Sequence, residues 1–234
     1  RFMDQSLCQL RPRYARALAE YHRLYEHKTR ILRDREENPG LLAMLPDFNE
    51  GMCRMGAILI HYRAQYCRAL DAYAAPAHGD CSGGREKLKL RYETVKTVID
   101  PFANTEDIAQ NLREHQESHY HAELSSGLCL SGPHKDDFLV EVNGRSARQF
   151  CSQGQVRTAA LALKLAEREI HKDTFGEYPV MLLDDVLSEL DPLRQEYVLN
   201  RISGGQVFIT CCENDRLDTL LTGKVFHVKN GEVL

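Results

Sequence analysis

The sequence predicts an α/β protein in which a parallel sheet with flanking helices carries an inserted α-helical arm. Three observations lead there. From residue 153 onward a helix (153–171), a strand (179–184), a second helix (192–202) and a second strand (206–210) alternate, the order that builds a parallel sheet. Residues 10–36 and about 47–77 instead show long helical periodicity. Finally, Val180-Met181-Leu182-Leu183 runs straight into Asp184-Asp185, as in a strand covered on both faces that ends in charge at a sheet rim.

Taken in order, the first helical stretch carries an apolar stripe of Tyr14, Leu18, Tyr21, Leu24 and Tyr25. Asn38-Pro39-Gly40 and Pro46-Asp47 read as turns, so the two long segments form a helical hairpin. Pro76, Gly79, Gly83 and Gly84 predict a break that closes an arm over residues 1–85 and leaves a head over residues 86–234. Residues 87–95 alternate polar and apolar as a half-buried strand does. A helix over about 105–125 leads to a strand at 138–142, with Asn143-Gly144 as a hairpin turn. Asp191 before Pro192 starts the last predicted helix, and Gly204-Gly205 ends it.

Two motifs carry chemistry. Buried carboxylates are costly unless paired or metal-bound, so Asp184 and Asp185 at a strand end suit a hard cation such as Mg2+ beside phosphate oxygens. This is the form of a Walker B segment, although the bare pattern also fits a core strand entering an acidic turn. Upstream, Ser152-Gln153-Gly154-Gln155 opens a strong helix with Ala159, Leu163, Ala166 and Ile170 at helical spacing. Ser152 and Gln155 make a capping-box pair, and Gly154 lets a phosphate approach a helix N-terminus. Together the two motifs match the signature and Walker B pair of ABC-type ATPases.

With these surroundings the chain resembles the RecF family, bacterial recombination-mediator ATPases of the ABC/SMC-like class. The resemblance is carried by Gly132-Pro133-His134-Lys135-Asp136-Asp137, Val142-Asn143-Gly144-Arg145, Ser152 to Gln155, the run from Leu183 to Asp191, and Val228-Lys229-Asn230-Gly231. It extends more weakly to Arg1-Phe2-Met3-Asp4 and Pro12-Arg13-Tyr14. Lys135 stands where the family more often has Arg, and Val156 where a polar residue is common. The resemblance implies the C-terminal part of an ABC-type ATPase head. In that scheme Ser152, Gln153, Gly154 and Gln155 act in trans on the γ-phosphate held by a partner, and Asp184 supports Mg2+ through water. Asp185 takes the place of a catalytic Glu, a shorter carboxylate that implies slow hydrolysis, while Ser188, Glu189 and Asp191 form a loop facing the partner head. ATP and Mg2+ are the implied cofactors; DNA gaps or junctions, the recombination mediator RecR and a homodimer formed on ATP are the implied partners.

No Gly-x-x-x-x-Gly-Lys-Ser/Thr loop occurs in the 234 residues, and the first residue is Arg1. The expectation is a fragment without the Walker A region that does not by itself bind ATP tightly. An SMC- or Rad50-like head shares both motifs but needs a long coiled coil, for which the arm is too short. A non-catalytic helical adaptor, with Ser152 as a cap and the aspartates as a turn, is the other alternative.

Composition agrees with an ordinary globular chain: 43% hydrophobic and 27% charged residues exclude disorder. No apolar run approaches the roughly 20 residues that cross a bilayer, so no membrane is implied and a cytoplasmic location is expected. Eight cysteines without Cys-x-x-Cys spacing suit reduced thiols. The net charge of −4 is unevenly spread. Residues 11–33 hold seven Lys/Arg against two Glu, whereas residues 177–196 hold six acids against one Arg. Arg11, Arg13, Arg16, Arg23, Lys28 and Arg30 are therefore candidate DNA contacts, set against the plainer alternative of a solvated helix face. His115 and His119 have a spacing that puts two imidazoles on one helix face, a weak metal signal beside a solvated face. His134 is expected to be presented with Lys135 by a turn at Gly132-Pro133.

Overall fold

A computed structural model describes residues 1–187, 190–202, 204–211 and 223–233, apart from the side chain of Leu193. The predicted helix over 10–36 is present as α2 (Pro12–Arg33), and a further helix not expected from the sequence, α1 (Phe2–Leu10), precedes it. The boundary between them is set locally. A residue before proline is pushed out of the helical region, and Arg11 is extended at φ −139° and ψ 97°, with Pro12 starting the next helix. After a short 3-10 turn (Pro39–Met44), α3 runs from Leu45–Cys81. The break expected at Pro76 is also corrected, because the helix continues through it. A mid-helix proline costs about 3 kcal/mol in isolation. Burial of Ala74, His78 and Cys81 around it offsets that cost.

The first sheet is antiparallel: β1 (Leu88–Glu93) pairs with β2 (Asp137–Val142), and β2 with β3 (Arg145–Ser146). Asn143 and Gly144 join β2 to β3 with φ 52° and 73°, the left-handed pair that a tight hairpin requires. Between β1 and β2 lies α4 (Thr105–Ser126), capped by the Asn104 side chain. A short α5 (Ala147–Phe150) precedes α6 (Gln153–Phe175). Then β4 (Met181–Asp184), α7 (Pro192–Arg201) and β5 (Val207–Thr210) follow, with β4 and β5 parallel and Asp184 opposite Thr210. The chain closes with a hairpin of β6 (Val228–Lys229) and β7 (Glu232–Val233).

Helix α6 is the shared wall of two cores. Its Ala159, Ala162 and Ala166 face a cluster with Tyr14, Tyr21 and Leu70 of the helical arm and Leu88 and Leu90 of β1. Small side chains there let α3 come close. Its Leu161 and Leu165 face the other way, onto Met181, Leu183, Leu187, Val198 and Ile202. Each such leucine, once buried, contributes about 1.5–3 kcal/mol. The opposite face of the β4–β5 pair is open, with Leu182 72% and Phe208 51% exposed. Cys8, Cys53, Cys67, Cys81, Cys129 and Cys151 are free thiols; Cys212 lies outside the described residues. Among the described residues no helix is long and apolar enough to cross a membrane.

Candidate functional site

The tip of α6 is built as a capping box. Ser152 Oγ accepts the Gln155 N–H at 3.3 Å, and Gln155 Oε1 accepts the Ser152 N–H at 3.0 Å. This satisfies only part of the first turn, whose remaining N–H groups point to solvent at the positive end of the helix dipole. Ser152, Gln153 and Gly154 are exposed, and the nearest atom to a side chain built on Gly154 would be Ser152 Oγ at 4.0 Å. An anion can therefore reach the backbone. Val156, beside them, is also exposed.

Behind the tip runs a polar chain that the sequence did not disclose. Gln155 Nε2 donates to Glu86 Oε1 at 2.9 Å, and Glu86 Oε2 lies 3.0 Å from Nε2 of the fully buried His78 at the end of α3. Burial holds His78 below the ordinary histidine range, against the opposing pull of Glu86. Only the long-range packing of α3 on α6 brings these residues together.

The second part of the site is the end of β4. Asp184 and Asp185 are exposed at the carboxyl edge of the parallel pair. Thr210 Oγ1 donates to Asp184 Oδ1 at 2.6 Å. The Asp185 N–H donates to Thr210 O and Oγ1, both at 3.1 Å, with Asp185 in the left-handed region at φ 51°. Asp184 Oδ2 accepts no hydrogen bond among the described residues. A carboxylate with one oxygen anchored and one uncommitted fits Mg2+, which retains waters and takes one or two protein carboxylates. A cleft of about 1030 Å3 is walled by α1, α6 and β4, and Arg157, Lys164 and Asp184 are among its lining residues. No hydrogen bond joins the α6 tip to this acidic edge among the described residues. Ser188 and Glu189 lie outside the described residues. Asp191 caps α7, its carboxylate accepting the Arg194 N–H at 3.1 Å and pairing with Arg194 Nη1 at 2.6 Å.

On α2, Arg13, Arg16, Arg23 and Arg30 are exposed at helical spacing. Arg23 pairs with Glu20 and Arg30 with Asp34, and Arg11 sits at the helix break with Nη1 3.4 Å from Leu10 O. Lys28 is corrected as a DNA contact. Its ammonium is fully buried, 2.7 Å from the Glu123 carboxylate, because residue 28 falls on the core face of α2 and not with the arginines.

The Gly132 to Asp136 run is a joint between arm and head. Gly132 has φ 131° and ψ 174°, a region essentially limited to glycine, and an added Cβ would lie 2.3 Å from Tyr21 Oη. His134 is turned inward, contrary to presentation with the exposed Lys135: Nδ1 is 2.8 Å from Tyr21 Oη and Nε2 is 3.2 Å from Cys129 O. Burial lowers its pKa. Arg63 donates to Pro133 O at 2.8 Å and Asp136 Oδ2 at 2.9 Å, and Tyr92 also donates to Asp136. His115 and His119 stack at 4.1 Å, with His115 Nδ1 2.7 Å from Ser131 Oγ and His119 Nδ1 2.8 Å from His115 O. No group of three metal-ligating side chains occurs among the described residues.

No family model matches the chain. Among curated proteins it is similar to the DNA replication and repair protein RecF of Listeria welshimeri, 38% identical over 242 residues, and to RecF of Bacillus subtilis, 37% identical over 238 residues. Each match takes in 100% of this chain and 64% of the relative, so the chain spans just under two thirds of their length. Among solved structures it superposes on the recombination mediator protein RecF-ATP of the RecFOR pathway with a TM-score of 0.87, at 31% identity over 99% of this chain and 61% of that one. RecF-ATPrS gives a TM-score of 0.86 at 30% identity, again over 99% and 61%. The fold is that of the RecF ABC-type ATPase head with its helical arm.

Proposed function

We propose that this chain, a RecF homologue over its whole length, supplies the signature and Walker B elements of a DNA-repair ATPase. The complete protein would hydrolyse ATP slowly, close as a homodimer on DNA at gaps or stalled forks, and assist recombinase loading with RecR. The single observation that carries the reading is the pairing of an open, capped helix tip with a strand-end carboxylate that keeps one oxygen uncommitted. The relatives solved with ATP and ATPrS support nucleotide as the ligand.

In this scheme Ser152 and the N–H groups around Gly154 hold the γ-phosphate of a nucleotide bound by the partner protomer. Asp184 and water would hold Mg2+, which when bound supplies positive charge beside the phosphates. Asp185 orients the attacking water and takes its proton; its side chain, one carbon shorter than Glu, reaches less far, which favours a slow switch. The loop around Ser188, Glu189 and Asp191 faces the partner. The exposed Arg13, Arg16, Arg23 and Arg30 give α2 a basic stripe suited to the DNA backbone, with Arg11 at its edge. The missing Walker A loop would lie in a part of the protein beyond these 234 residues, so the chain alone holds ATP weakly.

ATP turnover of the complete protein is the test. An Asp184→Asn, Asp185→Asn variant is expected to lose at least about 100-fold in rate, as removal of a charge-stabilising group does. Unchanged turnover would favour the inert adaptor.

A further inference from the structure

We propose that Thr210 is a positioning residue for Asp184: it holds one carboxylate oxygen so that the other is presented to the metal and its waters. The inference rests on Asp184 being the Walker B carboxylate and goes beyond it to a residue on a different strand.

Parallel pairing sets Thr210 directly opposite Asp184. A hydroxyl has a single hydrogen, and Thr210 places it on Asp184 Oδ1 at 2.6 Å, the short distance of a charge-assisted bond. What fixes the hydroxyl is the Asp185 N–H, which donates at 3.1 Å to Oγ1 and at 3.1 Å to the Thr210 carbonyl. That shared amide also anchors Asp185 in a backbone conformation that non-glycine residues seldom adopt. One side chain thereby orients the first carboxylate and ties down the peptide of the second. The same geometry leaves Asp184 Oδ2 without a partner among the described residues. Outer groups of this kind typically change metal affinity about 10–100-fold when removed.

The complete protein separates this from a role in folding alone. Thr210→Val keeps the shape and removes the hydroxyl, Thr210→Ala removes it without the branched bulk, and Thr210→Ser keeps it. Mn2+ affinity of the ATP complex is read by electron paramagnetic resonance, the Mg2+ concentration for half-maximal hydrolysis by turnover, and integrity by metal-free thermal unfolding. Whichever of the Val and Ala variants folds is expected to weaken Mn2+ binding and raise the Mg2+ requirement about tenfold, with the Ser variant within about twofold of the parent. Parent-like metal dependence in Val and Ala, alongside loss in Asp184→Asn, overturns the assignment of Thr210 while the Walker B reading stands. Parent-like metal binding in Asp184→Asn overturns both. A lower melting temperature with unchanged metal dependence makes Thr210 structural and also overturns the proposal.

Discussion

The joint at Gly132 to Asp136 and the edge formed by the α6 tip and the end of β4 are both short polar motifs, yet they are built oppositely. At the joint the polar groups are turned inward and partnered: His134 on Tyr21 and Cys129, Asp136 on Arg63 and Tyr92, and nearby Lys28 on Glu123. At the edge Ser152, Gly154 and Asp184 stand in solvent, with capacity for hydrogen bonds left over. A motif turned inward onto partners is fit to hold a fold, and one left open to solvent is fit to hold a ligand. Sequence similarity to RecF covers both and does not distinguish them.

Breaking the joint should show in stability first. Glu123→Ala leaves the Lys28 charge buried and strips Leu130 and Ser131 of the acceptor for their N–H groups, so a loss of about 3–5 kcal/mol is expected in denaturant unfolding of the complete protein. A loss below about 1 kcal/mol would mean that water reaches the pair. Next, Gly132→Ala must place a methyl against Tyr21 in a backbone region that alanine avoids, at a cost of about 3 kcal/mol. Tyr21→Ala in the same background should recover part of it, and no recovery would count against the close contact as the cause.

Acid should weaken the fold more gradually, through His134 at the joint and His78 behind the α6 tip. His78 and His134 are held below their ordinary pKa by burial, so the folded chain resists protons that the unfolded chain takes up. Their contribution is complete above about pH 6.5 and falls away as the pH drops through that value toward the folded pKa values. Unfolding midpoints measured from pH 7.5 to 5.5 should decline, and a flat profile would contradict the assignment.

Substitutions at the edge should act differently from those at the joint. Ser152→Ala removes a helix cap for about 1 kcal/mol of stability while impairing ATP-dependent dimerisation. The smallest effects belong to the arginine stripe: replacing Arg13, Arg16, Arg23 or Arg30 with Gln should each reduce the salt slope of DNA binding by about one while leaving stability unchanged. Lys28→Gln should do the reverse, lowering stability without altering the slope.

Much of this was legible in the sequence because it is local. The α6 cap, the Asn143-Gly144 hairpin, the run into Asp184 and the Asp191-Pro192 start all depend on neighbours within a few residues, and each appears where periodicity and turn chemistry put it. The start of α2 was also written locally, in Pro12, whereas α1 ahead of it, only nine residues long, was not read from the sequence. By contrast, α3 persists through Pro76 only because distant side chains bury its last turns. Thr210, Glu86 and His78 were invisible for the same reason: one polar residue acquires a role when strand register or helix packing brings it to a carboxylate or an amide. Lys28 shows the converse, since charge counting along α2 ignored the face on which each charge falls.

Whether the edge works across two protomers is settled most directly by mixing variants of the complete protein. Ser152→Arg protomers and protomers with a disabled Walker A lysine should each fail to dimerise with ATP alone. Mixed together they retain one intact composite site, so ATP-dependent heterodimers and partial turnover should return. If the mixture stays monomeric and inactive, or if Ser152→Arg dimerises by itself, the α6 tip does not act on a partner's nucleotide.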